Sequence, residues 1–333
     1  MKALRFSEGT GPQLGEVPIP EPQGTDALIK VKRAAICSTD LEILRGYVPG
    51  YNQVLGHEFV GVVDRCDSNP ALVGQRVVGE INCRTEPCTH PDPIFVRNHA
   101  ARRVVLGIIG KDGTLAEYCT LPAENLLVVP EELTDQEACF AEPLAAACRI
   151  VEQQVLSPGD KVAVIGDGKL GLLIAQLLVC QGYSVTHLGR HERKLALVEG
   201  STRHVVGDTT AKELAEGFDV VVEATGSSQG IRLALAVTRP LGTIVLKSTC
   251  SMVGDTQMPP WSEIGNDVVV QEKRIVGSRC GPFQPALDAM REPRILQLLS
   301  RMVDAVLPIE QGLEALERAQ QKGTLKVQVT MDK

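Results

Sequence analysis

The segment KVAVIGDGKLGLLIAQLL constrains the fold of this 333-residue chain most strongly. An apolar run ends at Gly166. This glycine begins a G-x-G-x-x-G spacing that continues through Gly168, Lys169, Leu170 and Gly171, and a second apolar stretch follows. Glycines at this spacing also occur by chance or as a simple tight turn. Between a strand pattern and a helix pattern, however, they permit the turn, the approach of a pyrophosphate and the packing of helix on strand. The segment therefore predicts a dinucleotide site in which free N–H groups at the helix N-terminus hold a diphosphate.

The pattern on either side of this segment predicts two domains of different construction. From Asp160 to about Gly277, continuous apolar runs alternate with amphipathic segments, which indicates a doubly wound parallel sheet. Up to about Leu133 the apolar runs are short and are interrupted by Gly, Pro and Asp, which indicates a β-rich domain. The tail from about Ser278 is expected to complete that first domain. The predicted fold class is therefore α/β with two domains, as the length of the chain also favours.

The end of the second strand of the predicted sheet, SVTHLG, bears on the choice of cofactor. An acidic residue there usually binds the ribose 2′-hydroxyl of NAD, but this strand ends in Gly189 and is followed by Arg190, Arg193 and Lys194. A glycine leaves room for a 2′-phosphate, and guanidinium groups bind phosphate through paired hydrogen bonds. We therefore predict NADP rather than NAD. The alternatives are that RHERK is only the solvated start of a helix, or that Glu192 binds the ribose.

Two further strand ends carry candidate cofactor contacts, because ligands of such sheets bind at the carboxyl ends of the strands. The candidates after the fourth and fifth strands of the predicted sheet are Ala224, Thr225, Lys247, Ser248 and Thr249. Ordinary loop and strand-end roles remain as alternatives for each of them.

Three separated segments supply the side chains of a metal site. Cys37 lies in ICSTD, His57 and Glu58 lie in GHEFVGVV, and Glu142 lies in AEPLAAA. Catalytic zinc usually takes three N, S or O ligands from the protein and keeps a further position open. The set predicts a catalytic zinc with Glu58 or Glu142 as the third ligand. In a regular strand His57 and Glu58 would face opposite ways, but Gly56 permits a departure from that geometry.

Composition narrows the class of partner. The formal charge is −7 and no run of Lys and Arg is present, which argues against nucleic acid or an anionic membrane and favours a small-molecule substrate. The N-terminus lacks a leader pattern and no stretch has the apolar length of a membrane span, so we expect a cytoplasmic protein. Ten unevenly spaced cysteines favour reduced thiols and metal ligands over a disulfide framework.

Together with VVEATGS and the terminal GTLKVQV, these segments resemble the medium-chain dehydrogenase/reductase superfamily, and within it the zinc-dependent alcohol, polyol and threonine dehydrogenases. The resemblance extends over essentially the whole chain. It implies a GroES-like β-rich catalytic domain over residues 1–146 and 278–333, and a Rossmann dinucleotide-binding domain over residues 147–277. It also implies a homodimer or homotetramer.

The resemblance assigns roles to the metal-site residues. It implies that Cys37 and His57 bind catalytic zinc and that Glu142, in the EPL motif of the polyol enzymes, is the third ligand. Glu58 then either coordinates directly or supports the ligands. Thr39 matches a hydroxyl that relays the substrate proton, so the expected catalytic residues are Cys37, Thr39, His57 and Glu58. The alternative for Thr39 is an ordinary turn hydroxyl.

A second zinc is not expected. Zinc-dependent members of the superfamily commonly carry a structural zinc on four closely spaced cysteines, and the matching stretch of this chain keeps only Cys83 and Cys88. His90 and His99 offer the nitrogen atoms that would rebuild a set of four ligands. The preferred interpretation is a lobe without metal.

The predicted reaction is hydride transfer between an alcohol and NAD(P), with a secondary alcohol or polyol favoured by the glutamate ligand that the resemblance implies. One alternative is a zinc-free reductase of the same superfamily that acts on quinones or enones. The other is a non-catalytic nucleotide-binding protein.

Overall fold

The computed structural model describes residues 1–249 and 259–331. Within these ranges the strands, numbered β1 to β19 in chain order, run over Lys2–Ser7, Gly11–Glu16, Asp26–Ala35, Asn52–Val54, Glu58–Arg65, Arg76–Gly79, Asn82–Cys83, Val104–Leu106, Gly110–Lys111, Tyr118–Pro122, Leu126–Val128, Lys161–Ile165, Ser184–Gly189, Thr202–Val205, Phe218–Glu223, Thr238–Leu246, Arg274–Gly277, Val303–Pro308 and Lys326–Thr330.

The α-helices of the same ranges, numbered α1 to α12, run over Ser38–Ile43, Pro93–His99, Asp135–Ala138, Ala141–Glu152, Lys169–Cys180, Glu192–Leu195, Thr210–Glu213, Ser228–Val237, Trp261–Val270, Phe283–Ala289, Pro293–Met302 and Gly312–Gln320. Short 3-10 helices cover Pro70–Leu72, Ala123–Asn125 and Ile309–Gln311.

The alternating half of the chain forms a six-stranded sheet in the order β14-β13-β12-β15-β16-β17, and all its neighbouring strands are parallel. Its central strands are almost wholly apolar, and Val162, Ala163 and Val164 of β12 have no exposed surface. The predicted doubly wound sheet is confirmed. The strand order reverses direction between β12 and β15, and the loops after such a reversal are where these sheets bind ligands. The glycine turn and Ala224 follow these two strands.

The β-rich part contains a seven-stranded sheet in the order β11-β6-β5-β3-β19-β18, with β10 also paired to β3. The long strand β3 pairs antiparallel with both β5 and β19, so that Ala35 lies opposite Glu58 on one side and opposite Gln328 on the other. Because β3 ends at Ala35, Cys37 follows directly at the same edge as Glu58. This register brings the segment that contains Cys37 next to the segment that contains His57 and Glu58.

The described chain divides into two compact units. The first contains Met1–Glu142, Phe283–Met290 and the residues from Met302 onward, and the second contains Pro143–Pro282 and Arg291–Arg301. Residues 291–301 lie with the second unit, whereas the sequence-based division keeps them with the first. The domain boundaries of the sequence analysis stay a prediction.

Among the helices of residues 1–249 and 259–331, none has the length and apolar character required to cross a membrane.

Candidate metal centre and nucleotide turn

The structure brings Cys37, His57 and Glu58 together in the first unit. One ligand atom from each, a sulfur, a ring nitrogen and a carboxylate oxygen, lies within 4.8 Å of the other two. His57 and Glu58 are 3% and 0% exposed, and Cys37 is half-buried. Adjacent residues reach one point because Glu58 begins β5 whereas His57 precedes it. Gly56 has φ +94°, and a Cβ there would lie 2.9 Å from the Leu115 nitrogen, so this bend requires glycine.

Asp40 holds the two ligand segments together. Its carboxylate accepts hydrogen bonds from the Cys37 N–H at 2.8 Å and from the Gly56 N–H at 3.0 Å. Its Oδ1 also lies 3.5 Å from His57 Nδ1, an ion-pair distance, and that nitrogen has no hydrogen-bond partner among the described residues. Burial opposes charge on both groups, but their mutual attraction outweighs it. The pKa of Asp40 is therefore lowered, and that of His57 is raised well above its ordinary value.

Glu58 forms a buried ion pair with Lys326 of the last strand. Lys326 Nζ lies 2.5 Å from Glu58 Oε2, and the two side chains are 2% and 0% exposed. The ammonium group also lies 5.7 Å from the centre of the Phe140 ring. Burial lowers the pKa of Lys326, but the charges of Glu58 and Cys37 more than compensate, so its pKa is raised. The other oxygen, Glu58 Oε1, is buried without a hydrogen-bond partner within the described structure.

Lys326 did not emerge from the sequence as a site residue. The available signal was a lysine inside the apolar run LKVQV. A lysine is rarely buried unless it is paired, so this position required a carboxylate partner somewhere in the fold.

Glu142 and Thr39 lie at the edge of this arrangement. Glu142 is in the first turn of α4, half-buried, and its charge helps to raise the pKa of Lys326. It does not belong to the group of mutually close ligand atoms found among the described residues. Thr39 lies in the first turn of α1, with its Oγ1 3.7 Å from Cys37 Sγ, and is half-buried.

Of the four candidate ligands of a second zinc, Cys83, His90 and His99 contact other groups in the structure, and Cys88 is half-buried. Cys83 is buried against the Ile81 carbonyl and Asn125, and burial raises the pKa of its thiol to about 12. The His90 ring stacks on the Phe95 ring at 4.0 Å, and the His99 ring lies 6.0 Å from the same Phe95 ring, centre to centre. These residues and Cys88 form no group of three close ligand atoms within the part of the chain that the structure describes.

The glycine turn has the geometry that its spacing predicts. Gly166 has φ +124°, and Gly168 is the extended N-cap of α5, whose first residues are Lys169 and Leu170. A Cβ on Gly171 would lie 1.9 Å from the Gly166 carbonyl oxygen, whereas one on Gly168 would meet nothing within 4 Å. The third glycine therefore permits helix packing, and the second leaves the turn open on the outside.

Asp167, inside the glycine turn, contacts the end of the neighbouring strand β13. Its Oδ2 accepts hydrogen bonds from the backbone N–H groups of Arg190 and His191, both at 2.7 Å, and lies 2.9 Å from His191 Nδ1. Arg190 and Arg193 are exposed, and Lys194 is half-buried in the short helix α6. Asp167 occupies an unspecified position of the G-x-G-x-x-G spacing, so this contact could not be predicted from the pattern.

Hydrogen bonds also fix the residues that follow β15 and β16. Glu223 accepts hydrogen bonds from the N–H groups of Thr225 and Gly226, which fixes the turn after Ala224. Burial raises the pKa of Glu223 despite these bonds. Lys247 Nζ donates to Ser278 Oγ at 3.1 Å, and the chain then continues through Ser248 and Thr249. These candidate contacts lie at the carboxyl ends of β15 and β16, and Ala224 and Thr225 are next to Gly166 of the glycine turn.

Comparison with known protein families covers most of the chain. Residues 23–131 match the alcohol dehydrogenase GroES-like domain, and residues 140–331 match the glucose dehydrogenase C-terminus.

Individual relatives agree with these family matches. L-threonine 3-dehydrogenase of Chelativorans sp. (strain BNC1) is 33% identical over 276 residues, which cover 74% of this chain and 76% of that protein. A protein assigned as a zinc-binding dehydrogenase of Sinorhizobium meliloti 1021, bound to NADP, is 27% identical with a TM-score of 0.85, covering 99% and 98% of the two chains. The short chain alcohol dehydrogenase rspB of Escherichia coli CFT073, complexed with NADH, is 25% identical with a TM-score of 0.83 and 99% coverage of both chains.

Proposed function

The chain belongs to the zinc-type alcohol dehydrogenases of the medium-chain dehydrogenase/reductase family, and from this premise we propose a secondary alcohol or polyol as its substrate and NADP as its cofactor. It is an oxidoreductase that transfers a hydride between an alcohol and NAD(P). The single observation that carries the proposal is the convergence of Cys37, His57 and Glu58 in the first unit of a chain whose second unit contains a glycine turn of the dinucleotide-binding type.

The residues at this convergence fit a zinc ion. They offer one sulfur, one nitrogen and one oxygen, the donor types that catalytic zinc takes. The buried Glu58 Oε1 has no partner within the described structure, and a buried carboxylate oxygen without a partner is costly unless a cation meets it. When bound, zinc supplies a Lewis acid that favours ionisation of the alcohol, and the nicotinamide supplies the hydride acceptor.

The protein residues then have distinct tasks. The Asp40 carboxylate beside Nδ1 orients the His57 ring and leaves Nε2 for the metal, as carboxylates commonly do for metal-binding histidines. Lys326 holds one oxygen of Glu58 and leaves Oε1 for the metal. This arrangement favours Glu58 as the third ligand. Glu142 is the alternative, and its position in the first turn of α4 leaves that assignment to experiment.

Thr39 is proposed to move the substrate proton. Its hydroxyl lies beside Cys37 Sγ and is half-buried, so that it can accept the proton of the alcohol on one side and release its own towards solvent on the other. Replacement of Thr39 by Val is expected to lower kcat and to leave the zinc content unchanged.

The zinc site is tested by metal analysis of purified protein together with a Cys37→Ser variant. We expect about one zinc per chain in the wild type, in line with a metal-free lobe, and loss of both zinc and alcohol oxidation in the variant. Cys180→Ser, which changes a half-buried thiol of the second unit, serves as the matched control. A wild type with less than a few tenths of an equivalent of zinc and activity on enones would instead support a zinc-free reductase. Nucleotide binding without turnover of any alcohol would support a non-catalytic protein.

Similar structures contain both NADP and NADH, so they do not decide between the two cofactors. Gly189 leaves less room for a 2′-phosphate than the sequence predicts, because the Asp167 carboxylate occupies the space beside that glycine. The preference for NADP therefore rests on the exposed Arg190. Arg190→Ala is expected to raise the KM for NADP roughly tenfold or more and to change the KM for NAD much less, as loss of a charge-assisted phosphate contact requires. Arg203→Ala, at another exposed arginine of the same unit, is the control. Equal changes for the two cofactors would exclude the assignment.

A homodimer or homotetramer is proposed through the β17 edge of the parallel sheet. This edge and its neighbouring helix α9 expose Trp261, Val269 and Val270 at 75–78%, and Ile275 of β17 at 40%. Edge strands pair with their own copy about a two-fold axis. Light scattering should show dissociation for Ile275→Asp, but not for Val205→Asp on the opposite edge strand, β14.

A further inference from the structure

We propose that Asp167 is a positioning residue for cofactor choice: through its carboxylate it fixes the turn that follows β13 and so presents Arg190 to the 2′-phosphate of NADP. The inference rests on the proposed use of NADP. It assigns the discrimination between NADP and NAD to the glycine turn as well as to the end of β13.

The hydrogen bonds of Asp167 all go to two consecutive residues, Arg190 and His191. A single oxygen, Oδ2, accepts from the N–H groups of Arg190 and His191 and faces His191 Nδ1, at 2.7, 2.7 and 2.9 Å. Asp167 is only 8% exposed. Because the contacts go to main-chain N–H groups, they fix the direction in which the Arg190 side chain leaves the backbone, without contacting its guanidinium group.

Gly189 permits the contact between Asp167 and the end of β13, because it has no side chain. A Cβ on Gly189 would lie 2.6 Å from Asp167 Cβ and 2.9 Å from its Oδ2. The carboxylate therefore occupies the volume into which a side chain at the end of β13 would project. Gly189 and Asp167 are complementary: the glycine at the strand end admits an acidic residue that belongs to the preceding turn.

A second set of hydrogen bonds joins the glycine turn to strand β13. His187 Nε2 lies 2.9 Å from the Gly166 carbonyl oxygen, and the Gly166 N–H donates to the Leu188 carbonyl at 2.8 Å. His187 is fully buried, and burial lowers its pKa, so the ring is neutral and donates from Nε2. The glycine turn and the end of β13 are thus joined on both sides of Asp167.

Charge supports this role. Burial opposes ionisation of Asp167, but the bonds from His191 and Arg190 outweigh it and lower its pKa, so the carboxylate is charged at neutral pH. Its charge is met by two N–H dipoles and a histidine ring. The exposed guanidinium of Arg190 makes no ion pair within the described residues and is available for a phosphate.

The test compares equilibrium binding of two half-cofactors, 2′,5′-ADP and 5′-AMP, by calorimetry on the full chain. The ratio of their dissociation constants reports recognition of the 2′-phosphate without any turnover. We expect wild type to prefer 2′,5′-ADP, and Asp167→Ala to reduce that preference roughly tenfold, as loss of charge-assisted bonds implies. Asp167→Asn, which keeps an acceptor oxygen, should remain within about threefold of wild type. Asp208→Ala removes an exposed carboxylate of the same unit and should leave the ratio unchanged.

Gly189→Ala provides a second variant that keeps the charge of Asp167 and displaces its side chain. Under the proposal it lowers the preference for 2′,5′-ADP as Asp167→Ala does. If either alanine variant, or Asp167→Asn, binds 2′,5′-ADP more tightly than wild type, the carboxylate acts by repulsion and the positioning role is overturned. An unchanged ratio in both alanine variants also overturns it and leaves the NADP proposal intact. A wild type that binds both probes equally refutes the use of NADP and, with it, this inference.

Discussion

The buried pair between Lys326 and Glu58 leads to a quantitative prediction for Lys326→Met. The substitution nearly keeps the length of the side chain and removes the charge that pairs with Glu58 Oε2, in a place where both side chains are at most 2% exposed. Removal of one member of a buried pair typically costs about 3–5 kcal/mol. For a folding unit of this size each kcal/mol corresponds to about 2–4 °C in the melting temperature. We therefore expect the metal-free protein to melt about 6–20 °C lower.

Zinc should reverse part of this loss, since a bound cation compensates the Glu58 carboxylate that Lys326→Met leaves buried and unpaired. The assay is thermal unfolding, followed by circular dichroism, of wild type and variant with excess zinc and with a chelator. Lys322→Met, at an exposed lysine just before the last strand, is the matched control and should melt like wild type. The double variant Glu58→Gln/Lys326→Met should recover much of the stability. A loss no larger than that of Lys322→Met, or one that is identical with and without zinc, would refute the reasoning.

Two further predictions concern the nucleotide-binding unit. Gly171→Ala should lower the melting temperature, because its Cβ would lie 1.9 Å from a backbone oxygen, whereas Gly168→Ala should melt like wild type and bind the cofactor more weakly. Calorimetry measures the first effect and cofactor titration the second, and equal melting temperatures for the two variants would contradict the packing argument. Asp219 accepts from the Lys161 N–H and pairs with Arg239, which lowers its pKa. A lowered pKa stabilises the folded state above the ordinary pKa of the carboxyl group and is lost as pH falls through the folded value. The difference in melting temperature between wild type and Asp219→Asn should therefore be present at pH 7 and shrink below about pH 4; a difference independent of pH would disprove the ion pair's role.

The doubly wound sheet was predictable because its central strands are nearly continuous apolar runs bounded by turn residues, although the edge strand β14, TRHV, is not. The strand after SPGD and the strand before EATG, for example, have the composition of strands buried on both faces. The seven-stranded sheet of the first unit was less accessible. Its strand β3 pairs with β19, and no local pattern shows that two segments almost a whole chain apart are neighbours.

The metal centre and the nucleotide turn likewise contain residues that the sequence identifies and residues that only the fold reveals. Cys37, His57 and Glu58 were recognisable because their residue types are those of metal ligands and because a resemblance ties them together. Lys326 and Asp167 were not, since lysine and aspartate are ordinary surface residues and only burial distinguishes these two. Both act on another residue rather than on a ligand. Supporting residues of this kind depend on tertiary packing, which the sequence pattern does not display.

The pairing of Glu58 with a residue 268 positions later has a consequence for synthesis on the ribosome. At about 5–20 residues per second, Lys326 follows Glu58 by about 13–54 s. The second unit is built almost wholly from the intervening chain, so that it can fold while Glu58 still lacks its partner. We expect the nascent chain to acquire a nucleotide-binding unit before Lys326 is present to hold Glu58. A chain that stops before β19 would carry Cys37, His57 and Glu58 but would lack the lysine that pairs with the glutamate, and we expect it to bind zinc more weakly.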